Sequence, residues 1–326
     1  MKRILWRALP LLLLLVLVTA GCSNSEQPKS EASFSNQPLK IGVLPIEDSF
    51  PLWVAEENNM FQQAGLTVEI IPFNSARDRD TAMQAGQIDG EVADILAAAL
   101  LKKAGTEVRI VSLTLGATPE EGRFVLLASP NSGINSVAQL RGQEVALSEN
   151  TIIEYVADQM LTIAGLKPEE VRKVAIPRIP ERLQLLLSDQ VKAAVLPDPL
   201  ATLAESKGAK VVIDDTRLTE NISQVVMLFN QKALTEKREA IKRLIEVWGK
   251  AAAEVSRNPE KYRKLFNEKA RVPEALQDTY VIPSFSQPQV PKEEEVKRLV
   301  NWAVEKKLLD KPYSYSELVD ETFIGN

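Results

Sequence analysis

The sequence predicts an α/β protein of two lobes, each built on a parallel-sheet βαβ core with flanking helices, with two crossing strands as a hinge. Three observations predict it. Short apolar strands alternate with amphipathic helices along residues 39–326, the signal of parallel sheets covered by helices. The plan then repeats. Ala64-Gly65-Leu66 is echoed by Ala164-Gly165-Leu166, Gln87-Ile88-Asp89 by Gln190-Val191-Lys192, and Ala93-Asp94-Ile95-Leu96 by Pro197-Asp198-Pro199-Leu200. Finally, apolar strands at 124–128 and 223–229 bracket the second copy, where the chain must leave one lobe and return to it.

The elements follow in order. Residues 1–21 read as a signal peptide: Lys2, Arg3 and Arg7 without an acid, an apolar run at 11–18, then Thr19-Ala20-Gly21 at the exit. That run is shorter than the roughly 20 residues needed to span a bilayer. Residues 22–38 are polar and have little to bury, so they read as a flexible tether. Lobe I begins at 39–125 with a strand at 39–44, stopped by Pro45. A helix follows from about Pro51, with Trp53, Met60, Phe61 and Ala64 on its apolar face, and Gly65 is suited to the left-handed residue that ends it. Residues 66–70 are the next strand. Lobe II takes 126–224, and 225–326 returns to lobe I as helices at 235–255, 259–268 and 292–307, with Thr235 as the N-cap of the first. Between the last two, 270–291 carries four prolines but also Tyr280, Ile282 and Phe285, which predicts an extended loop packed over lobe I.

Composition narrows the function. The chain has 326 residues, 45% apolar and 25% charged, and a net charge of −5 that becomes more negative once the basic signal is removed. A nucleic-acid partner would call for a basic surface. There is no histidine and a single cysteine, Cys22. Zinc, copper and haem sites lose their usual ligands, and Ser-His or Cys-His nucleophile pairs are excluded. No cofactor and no metal are expected. Adjacent acids such as Glu120/Glu121 and Asp214/Asp215 point to opposite faces of a strand, which makes them poor acid–base pairs. An enzyme is therefore not expected.

Cys22 directly follows the small-residue exit, and this resembles the lipobox of bacterial lipoproteins, with Thr19 where Leu is most common. The resemblance implies a lipid-modified Cys22 and an extracytoplasmic protein anchored to the cell membrane. The body of the chain resembles the solute-binding proteins of bacterial ABC importers, in the branch that binds nitrate, sulfonates, taurine and thiamine precursors. The residues that carry this are Ile41-Gly42-Val43-Leu44, Phe50-Pro51-Leu52-Trp53-Val54-Ala55, Met60-Phe61, Gly65-Leu66-Thr67-Val68-Glu69, Ala85-Gly86-Gln87-Ile88-Asp89-Gly90 and Asp198-Pro199. Asn59 stands where the branch has the glycine of its G-x-F segment. The resemblance implies a type II periplasmic-binding-protein fold acting as a monomer. It implies a small-molecule ligand held between the lobes and a membrane permease as partner. A ligand-presenting sensory module would share the same cleft.

In open α/β sheets, ligands collect beyond the carboxyl ends of the strands. This nominates Glu47, Asp48, Phe50, Asp94 and Thr114 in lobe I and Asn150, Thr151 and Asp198 in lobe II as ligand-binding residues. Asp94 and Asp198 occupy matching points and serve equally well as helix caps. Trp53 belongs to a buried helix face. Arg77-Asp78-Arg79-Asp80 alternates in sign like a solvated surface, and Arg123 is placed for an ion pair with Glu121. The rim holds more acids than bases, which tilts the expected ligand toward a neutral or nitrogen-rich molecule.

Overall fold

A computed structural model describes residues 38–325. The segments expected to be a signal peptide and, up to residue 37, a tether, together with Cys22, lie outside the described residues. Ten strands form in chain order: β1 (Leu39–Val43), β2 (Val68–Pro72), β3 (Gly90–Asp94), β4 (Val108–Leu115), β5 (Phe124–Ala128), β6 (Glu144–Leu147), β7 (Arg172–Ala175), β8 (Ala193–Pro197), β9 (Lys210–Asp214) and β10 (Val225–Asn230). They make two five-stranded sheets, β2-β1-β3-β10-β4 in lobe I and β7-β6-β8-β5-β9 in lobe II. In each sheet the first three strands are parallel. Each also takes one antiparallel strand from the far side of a crossing: β10 lies between β3 and β4, and β5 between β8 and β9.

The two lobes thus share one topology, as the internal echoes predict. Gly65 and Gly165 both end helices at positive φ, +69° and +83°, a conformation that costs glycine no Cβ clash. The crossings differ from expectation in one respect. Residues 124–128 and 225–230 are full members of the receiving sheets, so the spans between lobes are residues 116–123 and 215–224. Gly116 marks where these spans touch: at φ +78°, a Cβ there would lie 2.9 Å from the Ser223 carbonyl oxygen.

Three apolar cores hold the molecule together. One lies between the lobe I sheet and the helices Phe50–Glu57 and Arg238–Arg257. The second helix is amphipathic and buries Ile241, Leu244, Ile245, Trp248, Ala251, Ala252 and Val255 at helical spacing. The 270–291 segment closes this core as an extended loop, with Phe285 edge-on to Trp248 at 6.3 Å and Tyr280 stacked on Phe266 at 5.9 Å. The outer face of the lobe II sheet forms a second core, and the third runs through both lobes.

Local boundaries shift for physical reasons. The helix expected to run past Met60 breaks at Asn59, which sits at φ +56°, so Phe50–Glu57 and Met60–Gln63 are separate helices. Thr235 is not a cap. β10 ends at Asn230, whose side chain accepts from the Ala233 N–H at 2.9 Å and starts the helix Gln231–Glu236 there. The last long helix, Glu293–Glu305, does not belong to lobe I alone. It packs on Ile95–Lys103 of lobe I. It also reaches lobe II, where Trp302 donates its indole N–H to Asp158 at 3.0 Å and meets Tyr155 edge-on at 5.4 Å. Just beyond it, Lys306 pairs with Glu154 at 2.6 Å. The chain is thereby tied across the two lobes.

Candidate functional site

The carboxyl ends of the lobe I strands carry a run of buried acids. After β1 the chain turns through Glu47–Ser49, and all three residues are buried. Burial pushes the Glu47 carboxyl up to about 8, and the nearby charge of Asp198 from lobe II is the next cause. The charge of Asp198 thus acts on Glu47 although the two residues belong to different lobes. Tyr280, from the extended loop, donates its hydroxyl to Glu47 Oε2 at 2.6 Å. Asp48 is pushed up to about 7, again chiefly by burial, with Arg79 opposing. Its Oδ1 has no hydrogen-bond partner in the protein, and neither has Thr114 Oγ1. Thr114 lies near the end of β4, the strand that packs against the Glu47–Ser49 turn. Such atoms are costly to leave unpaired, about 1–3 kcal/mol each.

The matched aspartates are occupied locally. Asp94 accepts from the Ala97 N–H at 2.8 Å and caps helix Ile95–Lys103. Asp198 accepts from both the backbone N–H and the hydroxyl of Thr202, at 2.9 and 2.8 Å. Its other oxygen lies 3.8 Å from Arg123 Nη1. Burial raises the pKa of both acids. Both acids also act on the buried turn after β1, Asp198 opposing the charge of Glu47 and Asp94 that of Asp48.

Other nominated residues lie elsewhere. Phe50 is fully buried and meets Phe266 edge-on at 4.8 Å, which places its ring in the lobe I core. The helix that begins at Phe50 turns this first residue inward, a direction not evident from its position beside Pro51. Thr151 caps helix Ile152–Ile163, accepting from Ile153 N–H at 3.2 Å and donating to Ser148 O at 2.7 Å. Asn150 is exposed, and its backbone N–H donates to Glu154 at 2.6 Å.

The arginines also depart from expectation. Arg79 is buried, not solvated: Nη1 donates to the Val92 carbonyl at 2.8 Å and Nη2 to Asp80 at 2.8 Å. Arg123 pairs with Asp214 at 2.7 Å and Glu205 at 2.7 Å, while Glu121 accepts from the Ala117 N–H and from Ser286. Two further residues join this buried acidic cluster, and the sequence did not nominate them. Asp215, on the return span, is pushed up to about 7 by burial and accepts from the Phe124 N–H at 2.8 Å. Tyr280 lies about 230 residues from its partner Glu47 in the chain, so no local pattern could have joined them.

Two lobes of one topology joined by two spans define the type II periplasmic-binding-protein fold. The chain belongs to the NMT1/THI5-like family, whose model matches residues 47–262. It is 26% identical over 259 residues to a Brachyspira hyodysenteriae protein described as an ABC transporter periplasmic binding protein, covering 75% of this chain and 72% of that one. It is 22% identical over 329 residues to a Bacillus subtilis protein described as binding aliphatic sulfonates, covering 98% and 96%. The fold is similar to that of the periplasmic aliphatic sulphonate binding protein SsuA of Escherichia coli, with a TM-score of 0.73 at 19% identity over 87% of this chain and 98% of that one. It is also similar to the nitrate-binding protein NrtA of Synechocystis, with a TM-score of 0.69 at 12% identity over 88% and 86%.

Proposed function

We propose that the chain is the solute-binding component of an ABC importer, which captures a small organic solute between its lobes and hands it to a membrane permease. The observation that carries this reading is the pair of buried, unpartnered polar atoms, Asp48 Oδ1 and Thr114 Oγ1, on the turn after β1 and on the strand that packs against it. In its ionised form Asp48 only accepts, so the group that fits its free oxygen is an amine or a ring N–H. Relatives are described as binding sulfonates and nitrate. Among such small solutes, the acids here select one that carries a nitrogen donor. Lobe closure about the two spans would sequester it, a hinge motion that requires no chemistry.

A thermal-shift screen of aminosulfonates, aminopyrimidines, amino acids and nitrate identifies the solute, since a hundredfold excess over Kd stabilises by about 2.7 kcal/mol. With the solute in hand, Asp48→Asn is expected to weaken binding at least about tenfold, because the variant keeps an acceptor but loses the charge. Asp94→Asn retains its cap and should leave affinity unchanged. Equal affinities for wild type and Asp48→Asn would remove Asp48 from the site.

The same reading places the protein outside the cytoplasmic membrane, held by a lipid on Cys22 and acting as a monomer. Cys22→Ala should release it into the soluble extracytoplasmic fraction or leave it as unprocessed precursor. A normally cleaved variant that still sediments with membranes would argue against the anchor.

A further inference from the structure

Tyr280 comes from the extended loop at 270–291, yet its hydroxyl reaches the turn after β1 and donates to Glu47 Oε2 at 2.6 Å. Its surroundings fix it there. The Tyr280 backbone N–H donates to the Leu276 carbonyl at 2.8 Å, and its own carbonyl accepts from Arg263 Nη1 at 2.9 Å. The ring stacks on Phe266 at 5.9 Å, and Phe266 meets Phe50 edge-on at 4.8 Å, at the start of the helix that follows the Glu47–Ser49 turn. One set of aromatic contacts therefore seats both partners of the hydrogen bond. Burial and the charges of Glu47 and Asp198 hold the phenol above its ordinary range, so it keeps its proton and serves Glu47 as a donor.

The two oxygens of Glu47 then differ. Oε2 is taken by Tyr280. Oε1 has no hydrogen-bond partner among the described residues, and it is not sealed from solvent as Asp48 Oδ1 is. Asp48 on the same turn, Asp215 on the return span and Asp198 in lobe II all oppose the Glu47 charge, whereas the Tyr280 hydroxyl favours it. Arg123, from the first span, acts on the Tyr280 hydroxyl. We infer that Tyr280 is a positioning residue for solute capture: it fixes Oε2 of Glu47, leaves Oε1 open to an N–H donor of the solute, and favours the charged form of the carboxyl. This rests on the solute-binding reading and adds the residue that readies Glu47 to accept. Neither side chain has to move, because the contact is already made. With Glu47 pushed up to about 8, an ammonium group gains its full attraction only after the carboxyl has lost its proton, so capture should strengthen as pH rises toward 8 and level off above it. Loss of a hydrogen bond to the charged form moves that rise upward by about 1 pH unit or more.

Methylammonium, which offers N–H donors, and tetramethylammonium, which has the same charge and none, are titrated by thermal shift at constant ionic strength from pH 6 to pH 9. Wild type, Tyr280→Phe, Glu47→Gln and the double variant are compared; Phe keeps the stack on Phe266 and removes the hydroxyl alone. Methylammonium should stabilise wild type saturably and beyond tetramethylammonium, with affinity rising toward pH 8. Tyr280→Phe should bind it at least about tenfold more weakly at pH 7, with the rise displaced upward by about 1 pH unit. Binding by Glu47→Gln should be weak and flat with pH, and Tyr280→Phe should add nothing in that background. A weakened Glu47→Gln beside a Tyr280→Phe profile identical to wild type would overturn the Tyr280 role alone. An equal loss from Tyr280→Phe in both backgrounds would do the same, since it marks a structural effect that does not pass through Glu47. Equal binding by wild type and Glu47→Gln, or no saturable shift in wild type, would overturn the role together with Glu47 as a contact. The Asp48→Asn comparison with the screened solute still decides the solute-binding reading itself.

Discussion

Arg123→Met is expected to destabilise the protein by about 3–5 kcal/mol, the cost of removing one partner from a buried ionic cluster. Arg123 ends the first span, where its guanidinium holds three acids. Asp214 receives two bonds, from Nε at 2.9 Å and Nη2 at 2.7 Å, Glu205 lies 2.7 Å from Nη1, and Asp198 lies 3.8 Å from it. The Asp214 and Asp198 side chains are only 3% and 8% exposed, so neither can recover its solvation in the variant. Burial opposes the Asp214 charge, but the hydrogen bond from Arg123 heads the causes that hold its pKa below the ordinary value. A lowered carboxylate pKa contributes stability that is present above the unfolded-state pKa, about 3.9, and is lost as pH falls through the folded value. The gap between variant and wild type should therefore narrow on acidification below about pH 4. Urea denaturation at pH 7 and pH 3.5 measures both quantities. A loss under about 1 kcal/mol at pH 7 would mean that the cluster behaves as a surface ion pair.

The second large effect runs the other way with pH. Glu47, Asp48 and Asp215 are pushed up to about 8, 7 and 7, and in each case burial is the first cause. A carboxyl whose folded pKa exceeds its unfolded value binds more protons when folded. Stability then falls as pH rises from about 4 through the folded pKa, by up to about 1.4 kcal/mol per pH unit for each group within its window. The solute-free protein should thus melt at a higher temperature at pH 5 than at pH 8. Glu47→Gln keeps an acceptor for the Tyr280 hydroxyl but cannot ionise beside Asp198. It should raise the melting temperature at pH 8 and leave that at pH 5 nearly unchanged. A wild-type melting temperature that is flat from pH 5 to pH 8 would show that these acids are solvated in the solute-free protein. An amine in the site would act as the protons do, by neutralising this charge, so its stabilising effect should be largest at pH 8.

Much of the architecture was legible because it rests on local chemistry. Strand and helix alternate with their own periods, Gly65 and Gly165 mark equivalent helix ends, and the echoes around Asp94 and Asp198 mark equivalent strand ends. The candidate site was legible only in part. Glu47, Asp48, Thr114 and Asp198 were nominated because a fold class assigns ligands to the carboxyl ends of strands, and Glu47, Asp48 and Thr114 are buried there, Asp48 and Thr114 each with an unpartnered oxygen. Phe50 was nominated for the same reason and proved to be core, since position along the chain does not say which way a ring turns at the first residue of a helix.

By itself, then, the amino-acid sequence determined the two-lobed class, the wealth of acids after the strands, and the exclusion of histidine-dependent nucleophile pairs and metal sites. Tertiary structure alone decided which charges are paired. It buried Arg79 beside Val92 and Asp80, gave Arg123 to Asp214 and Glu205 rather than to Glu121, and brought Tyr280 onto Glu47. The reason is physical. Periodicity and turn chemistry act over a few residues, whereas the environment of a charge depends on segments that meet only when the chain crosses between lobes and returns.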